Sequence, residues 1–319
     1  MPTKPSKALL LSAITALALT LGVLGPFSHA LGVRSIPAAG NYCGLPAGWS
    51  VPGGTLLEDT ALLARLSEQS AVLLGERHDR LEHHRWQLDV LRALHAVHPD
   101  IALALEMFPR RVQPALDAWV EGELSEAEFL AQSDWHKVWR FDPELYMDIF
   151  RFARDKRIPM RAVNVESDLT RLVGREGFDA VPTDELEGVG RPAPPSAAYT
   201  DWLTTIYQMH LVGNRVGEHS ERHLRNFIEA QLLWDRSMAE GIHGAIVESP
   251  GRLVVALIGS GHLRHGHGVP HQLADLGVSA QATLLPWDAD FDCNELVDGL
   301  ADAVYNLRDY GTRGPALDV

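Results

Sequence analysis

The residues of this chain best suited to chemistry stand at the ends of aliphatic runs. Gly75-Glu76-Arg77-His78 follows Ala71-Val72-Leu73-Leu74, and Gly259-Ser260-Gly261-His262 follows a second run that begins at Leu253 and ends at Ile258. A glycine closing a strand lets the backbone turn sharply, so each histidine is expected just past a sheet edge. Glu106 ends a third run that starts at Ile101, and Asn164 and Glu166 end a fourth that starts at Met160. A single carboxylate there could simply cap the next helix. Four run ends of this kind point to one place, because parallel strands deliver their carboxyl ends to the edge where α/β sheets bind ligands. Carboxylates and imidazoles gathered there suit acid–base work on a bound ligand or metal binding, with Glu76, His78, Glu106 and His262 as the candidates.

Three helical stretches add to this set. His83, His84 and Gln87 follow the first signature, with His83 and Gln87 one turn apart and in line with Val90 and Leu94. On the stretch 220–241, Gln231 and Asp235 share a stripe with Leu224, Phe227, Ile228, Trp234 and Met238. A buried amide or carboxylate needs a partner, so these two either hold helices in register or line a pocket. His84, Gln87, Gln231 and Asp235 are expected to support the primary residues from behind. On 198–212, which also carries Tyr199, Tyr207 and His210 can face one pocket, and a phenolate binds ferric iron well. The alternative for both tyrosines is ordinary amphipathic packing. His265, His267 and His271 read as a polar loop.

These residues need a scaffold. Continuous apolar strands alternating with helices imply an α/β fold, a mainly parallel central sheet with helices on both faces. Five strands are expected, near 71–74, 101–105, 160–165, 253–258 and 280–285, with a helical insertion at about 168–244 between the third and fourth. Helices are expected at 81–98, 111–121, 125–132 and 143–156, the third opened by a capping box of Ser125 and Glu128. Residues 31–70 read as a loop-rich extension with a short helix near 59–68, and 71–290 as the α/β domain. Residues 291–319 read as a carboxyl-terminal helix and tail.

Lys4 and Lys7 precede an apolar stretch from Ala8 to about Leu24, and Ser28-His29-Ala30 offers small residues for cleavage. Residues 1–30 thus read as a signal peptide or an amino-terminal membrane anchor, and the protein as exported, periplasmic or membrane-associated. No cysteine follows directly, which argues against a lipid anchor. The formal charge of −14 argues against nucleic acid, whose affinity rests on lysine and arginine. With two cysteines in all, a zinc–thiolate site is excluded; Cys43 and Cys293 could pair in an oxidising compartment.

Together, Gly75-Glu76-Arg77-His78-Asp79, His83-His84-Arg85-Trp86-Gln87, Leu105-Glu106-Met107-Phe108, Ala230-Gln231-Leu232-Leu233-Trp234-Asp235 with Met238-Ala239, and Gly259-Ser260-Gly261-His262 resemble the ChaN-like haem-binding lipoproteins. That family belongs to a wider superfamily with the Tiki and TraB proteins and the erythromycin esterases. The resemblance covers roughly 65–290. It implies a cell-envelope protein of iron and haem uptake, a homodimer enclosing two haems, and a tyrosine ligand carried over to Tyr207, with Tyr199 as the reserve. The Tiki branch implies the alternative, a metal-dependent hydrolase using Glu76, His78, Glu106 and His262, of which His78, Glu106 and His262 would hold the divalent metal. The erythromycin-esterase branch implies a metal-free variant in which a histidine activates water.

Overall fold

A computed structural model describes residues 43–44, 48–212 and 221–308, apart from the side chains of 210–212. Seven strands form one sheet: β1 (Gly48–Ser50), β2 (Ala71–Glu76), β3 (Ile101–Pro109), β4 (Met160–Asn164), β5 (Leu253–Gly259), β6 (Gln281–Trp287) and β7 (Ala303–Asn306). Their spatial order is β1-β7-β6-β2-β5-β3-β4, and every pairing is parallel except β1 with β7.

The α-helices are α1 (Asp59–Ser67), α2 (Leu81–Val97), α3 (Gln113–Val120), α4 (Glu126–Gln132), α5 (Trp135–Val138), α6 (Met147–Asp155), α7 (Ser167–Glu176), α8 (Ala197–Val212), α9 (Glu221–Glu248) and α10 (Val269–Asp275). Ser125 caps α4 through the expected box, its hydroxyl accepting from the Glu128 amide while the Glu128 carboxylate accepts from the Ser125 amide.

The central strands are buried along their whole length, which is why they read as unbroken aliphatic runs. Alternate residues serve opposite layers. Val72, Leu74, Leu103, Leu105, Val255 and Leu257 face the core under α1 to α6. Ala71, Leu73, Ala102, Ala104, Val254 and Ala256 face α9 and α10. The smaller residues of that second face admit α9 closely. A Cβ on Gly241 would stand 2.6 Å from Val163 Cγ1, so only glycine lets the helix lie there. In turn α7 packs on α9 through Leu169, Val173 and Leu233, and α8 through Tyr199, Leu203 and Leu232.

Two expectations are corrected at the sheet edges. Among the described residues the tail is not helical: beyond a short turn at Cys293–Glu295 it forms β7, which pairs with β6 and β1. Residues before α1 contribute β1. Both strands are too short to carry a pattern of their own, and partners distant in sequence define them. Cys43 and Cys293 form a disulfide that ties this edge to the loop after β6. The apolar stretch of residues 8–24 lies outside the described residues. Among the described residues no helix is long and apolar enough to cross a membrane.

The order of the strands decides where a ligand would sit. From β2 the chain passes through α2 on one face to β3, leaving a gap that β5 fills. From β5 it passes through α10 on the other face to β6. Neighbouring strands whose connections leave to opposite faces open a crevice at their carboxyl ends. The register sets Glu76 opposite Gly259 there.

Candidate functional site

At this crevice the structure brings Glu76, His78, Glu106 and His262 together. Glu76 is the last residue of β2 and is buried. His78 Nδ1 donates to its Oε1 at 2.6 Å, Tyr146 Oη donates to the same oxygen at 2.8 Å, and His84 Nε2 lies 3.3 Å from Oε2. Burial alone would raise this carboxyl, but the bonds from His78 and His84 hold it well below the usual carboxylate range. Burial would lower His78, but its bond to Glu76 and the charge of Glu106 push it up to about 9. His78 is thus an imidazolium at neutral pH, with 30% of its side chain exposed.

A second arrangement of the same kind faces the first. His262 Nδ1 donates to Asp235 Oδ1 at 2.6 Å, and Tyr199 Oη donates to Asp235 Oδ2 at 2.8 Å. Burial opposes charging His262, but Asp235 and then Glu106 raise it. Glu106 stands between the two. The Gly259 amide donates to its Oε2 at 2.6 Å, and His262 Nε2 lies 3.8 Å from its Oε1, an oxygen with no hydrogen-bond partner among the described residues. Close approach requires Gly259: a Cβ there would lie 2.9 Å from His78 Cε1 and 3.4 Å from Glu106 Oε2. Two chains of tyrosine, carboxylate and histidine therefore converge on one buried glutamate, an arrangement suited to holding and moving protons.

The supporting residues divide. Asp235 is fully buried and orients His262. His84 is buried beside Glu76, and Gln87 Nε2 donates to the Leu74 and Gly75 carbonyls, fixing the end of β2. Gln231 is only half-buried. His83 holds a different joint: its Nδ1 accepts from the Arg77 amide at 2.9 Å, so its Nε2 carries the proton donated to Asp288 at 2.9 Å. Asn164 donates to the Glu106 carbonyl at 2.8 Å, whereas Glu166 turns away to pair with Arg111.

Metal ligation by His78, Glu106 and His262 finds no support. The Nδ1 bonds of the two histidines to carboxylates would leave each Nε2 open, and Glu106 Oε1 is unpartnered among the described residues, but His262 Nε2 stands 3.8 Å from that oxygen. Among the described residues no group of three or more His, Cys, Asp or Glu side chains is placed to hold a metal ion.

The tyrosines also separate. Tyr199 is buried, and burial together with Asp235 raises its phenol far above the usual range, so it is a locked donor and not a phenolate. Tyr207 is half-buried two turns further along α8, about 12 Å by helical rise, with its ring 5.4 Å from that of Phe227. The side chain of His210 lies outside the described residues. Beside the start of α8, a cavity of about 420 Å³ is lined by Tyr199, Trp202, Gly261, Arg264, His265 and His267 among others. His267 stacks on Tyr199, ring centroids 5.1 Å apart. Burial, then the neighbouring His265 and His271, lowers its imidazole, which stays neutral at pH 7 and free to ligate. From sequence His267 reads as part of a polar loop, and Tyr146, with no motif around it, gives no signal.

Comparison with solved structures finds ChaN of Campylobacter jejuni, described as binding haem cofacially. The TM-score is 0.63 at 20% identity, covering 80% of this chain and 94% of that one; at that identity the likeness shows the fold. A mutant of the erythromycin esterase EreC in its open conformation aligns at TM-score 0.44 and 14% identity, covering 75% of this chain and 76% of that one. No protein of curated function matches. The family model described as "Haem-binding uptake, Tiki superfamily, ChaN" matches residues 62–273. With that match running from α1 through α10, this chain belongs to the ChaN haem-binding uptake family of the Tiki superfamily.

Proposed function

We propose that this protein binds haem in the cavity beside α8 and serves haem or iron uptake at the cell envelope. The observation that carries this reading is the composition of the cavity. Trp202 and Tyr199 offer flat apolar faces, His267 an imidazole for iron, and Arg264, paired with Glu295 on the same wall, a guanidinium that a propionate would have to share. His267 would hold the iron of a bound haem and Trp202 and Tyr199 its ring; the redox chemistry would be the cofactor's own. The disulfide supports an oxidising compartment. The cofacial haem binding of the C. jejuni protein supports a homodimer that encloses a pair of haems.

Iron has two candidate donors, His267 in the cavity and Tyr207 at the outer end of α8. The cavity favours His267. Titration with ferric haem, followed by absorption spectroscopy, is expected to saturate. His267→Ala is expected to lose the axial-imidazole spectrum while Tyr207→Phe keeps it. The reverse pattern moves the iron to Tyr207, and absence of saturable binding removes the haem reading.

A second reading, metal-independent hydrolysis, is favoured by one observation. Two buried tyrosine–carboxylate–histidine chains meeting at Glu106 exceed what holding a haem requires. In this reading His78 and His262 stabilise developing negative charge, and Glu106 takes the proton of an attacking water. An ester panel assayed with chelator present checks it. Turnover abolished in both Glu106→Gln and His262→Ala supports the reading, and no turnover by the unmodified protein ends it.

A further inference from the structure

The haem reading leaves unused a cleft of about 470 Å³ that opens over His78. It shares no lining residue with the cavity beside α8. Its walls come from the segment after α5, from the turn between β4 and α7, and from Trp234 of α9.

We propose that this cleft binds a small ring compound carrying a phosphate or carboxylate, its anionic group met by Lys137, Arg140 and His78 and its ring by Trp139, Phe141 and Trp234. The site goes beyond haem binding and stands or falls separately from it.

Charge bookkeeping within the cleft gives the first argument. Its carboxylates, Glu166 and Asp168, are already paired with Arg111 and Arg171. Lys137 and Arg140 have no ion-pair partner among the described residues, and both line the cleft. His78 is balanced by Glu76, so the excess positive charge at the cleft is that of Lys137 and Arg140; walls of low dielectric focus their field on an incoming anion.

The second argument is unmet hydrogen bonding. His78 has Nδ1 committed to Glu76 and no hydrogen-bond partner at Nε2 among the described residues. The indole N–H of Trp234 is buried and likewise without a partner. Buried donors are normally paired, and oxygens of a bound anion would satisfy both.

The third is the backbone. Arg140 sits at φ 67°, the left-handed region that a branched or long side chain seldom adopts. That turn lets the residues on either side of it, Trp139 and Phe141, both pack on His78, with ring centroids 4.6 Å and 5.5 Å away. Strain of this kind persists where it shapes a ligand clamp. The volume lies within the range of small-molecule pockets, roughly 300–1,000 Å³.

Isothermal titration of the disulfide-intact protein with phenyl phosphate and with phenylacetate tests the proposal, benzyl alcohol being the neutral control. Saturable binding of at least one anion at millimolar concentration or below is expected, and the tighter one identifies the anionic group. The alcohol should bind about tenfold more weakly or not at all. Lys137→Ala combined with Arg140→Gly should raise Kd about tenfold or more without lowering thermal stability, while Arg140→Lys largely keeps binding. Four outcomes overturn the proposal: neither anion binds, benzyl alcohol binds equally well, the double variant binds unchanged, or ferric haem displaces the probe stoichiometrically.

Discussion

Adding one methyl group at Gly259 tests whether the two halves of the cluster are as tightly joined as their distances state. Gly259 has φ −53°, a value any residue adopts, so alanine meets only a problem of space. Its Cβ would lie 2.9 Å from His78 Cε1 and 3.1 Å from Nε2. Carbon contacts settle at about 3.5–4.0 Å, so the imidazole must retreat by roughly 0.5–1 Å. Trp139 and Phe141 already pack on that ring, so the retreat strains its 2.6 Å bond to Glu76. Overpacking costs about 1–3 kcal/mol and loss of a charge-assisted bond about 1.5–3 kcal/mol; as the two overlap, the expected loss is about 2–4 kcal/mol.

The loss should also depend on pH in a defined direction. His78 titrates at about 9 in the folded protein against 6.5 ordinarily. A raised imidazole contributes stability that is fully present below 6.5 and disappears as pH rises through about 9. The gap between parent and Gly259→Ala should therefore be widest near pH 6 and narrow by pH 10. Urea denaturation across that range, with NMR titration of His78, reads both quantities. A variant within about 0.5 kcal/mol of the parent at pH 6, with His78 titrating unchanged, would refute the packing argument.

Other substitutions probe separate joints. Asp235→Asn keeps the shape but removes the charge that holds His262 and Tyr199; it should cost about 2–4 kcal/mol in urea denaturation and return the His262 titration toward its ordinary value. Replacing Cys43 and Cys293 by serine opens a loop with a sequence separation of 250. The chain-entropy account then predicts a loss near 5 kcal/mol, seen calorimetrically as a lower Tm that dithiothreitol reproduces in the parent. Arg140→Gly relieves the left-handed backbone and should stabilise by up to about 1 kcal/mol in the same denaturation assay; destabilisation would show that the arginine side chain supports the fold.

The buried strands were legible because burial on both faces writes itself as aliphatic runs, and their ends located Glu76, His78, Glu106 and His262. Asp235 announced itself as a carboxylate on an apolar stripe, although its partner, His262, lies 27 positions away and no local pattern links them. Tyr146 and the Trp139–Phe141 pair were not legible, since an aromatic in a helix or loop looks the same whether it packs or lines a site. Strands β1 and β7 were invisible for a related reason: three and four residues hold no period, and only their mutual pairing makes them strands. The metal expectation found no support among the described residues, because sequence places imidazoles and carboxylates at one edge but does not set the distances between them.

The position of β5 between β2 and β3 has a further consequence, for the route by which the chain folds. Ala71 finds its neighbours at Val254 and Gln281, and Leu103 finds Val255. During synthesis the first signature must wait, unzipped, until the last quarter of the described chain has emerged. Such long-range closure is slow, and a nascent chain that stays open is one that a translocation channel can still thread. The proton-holding cluster and the native topology thus come into being in one event.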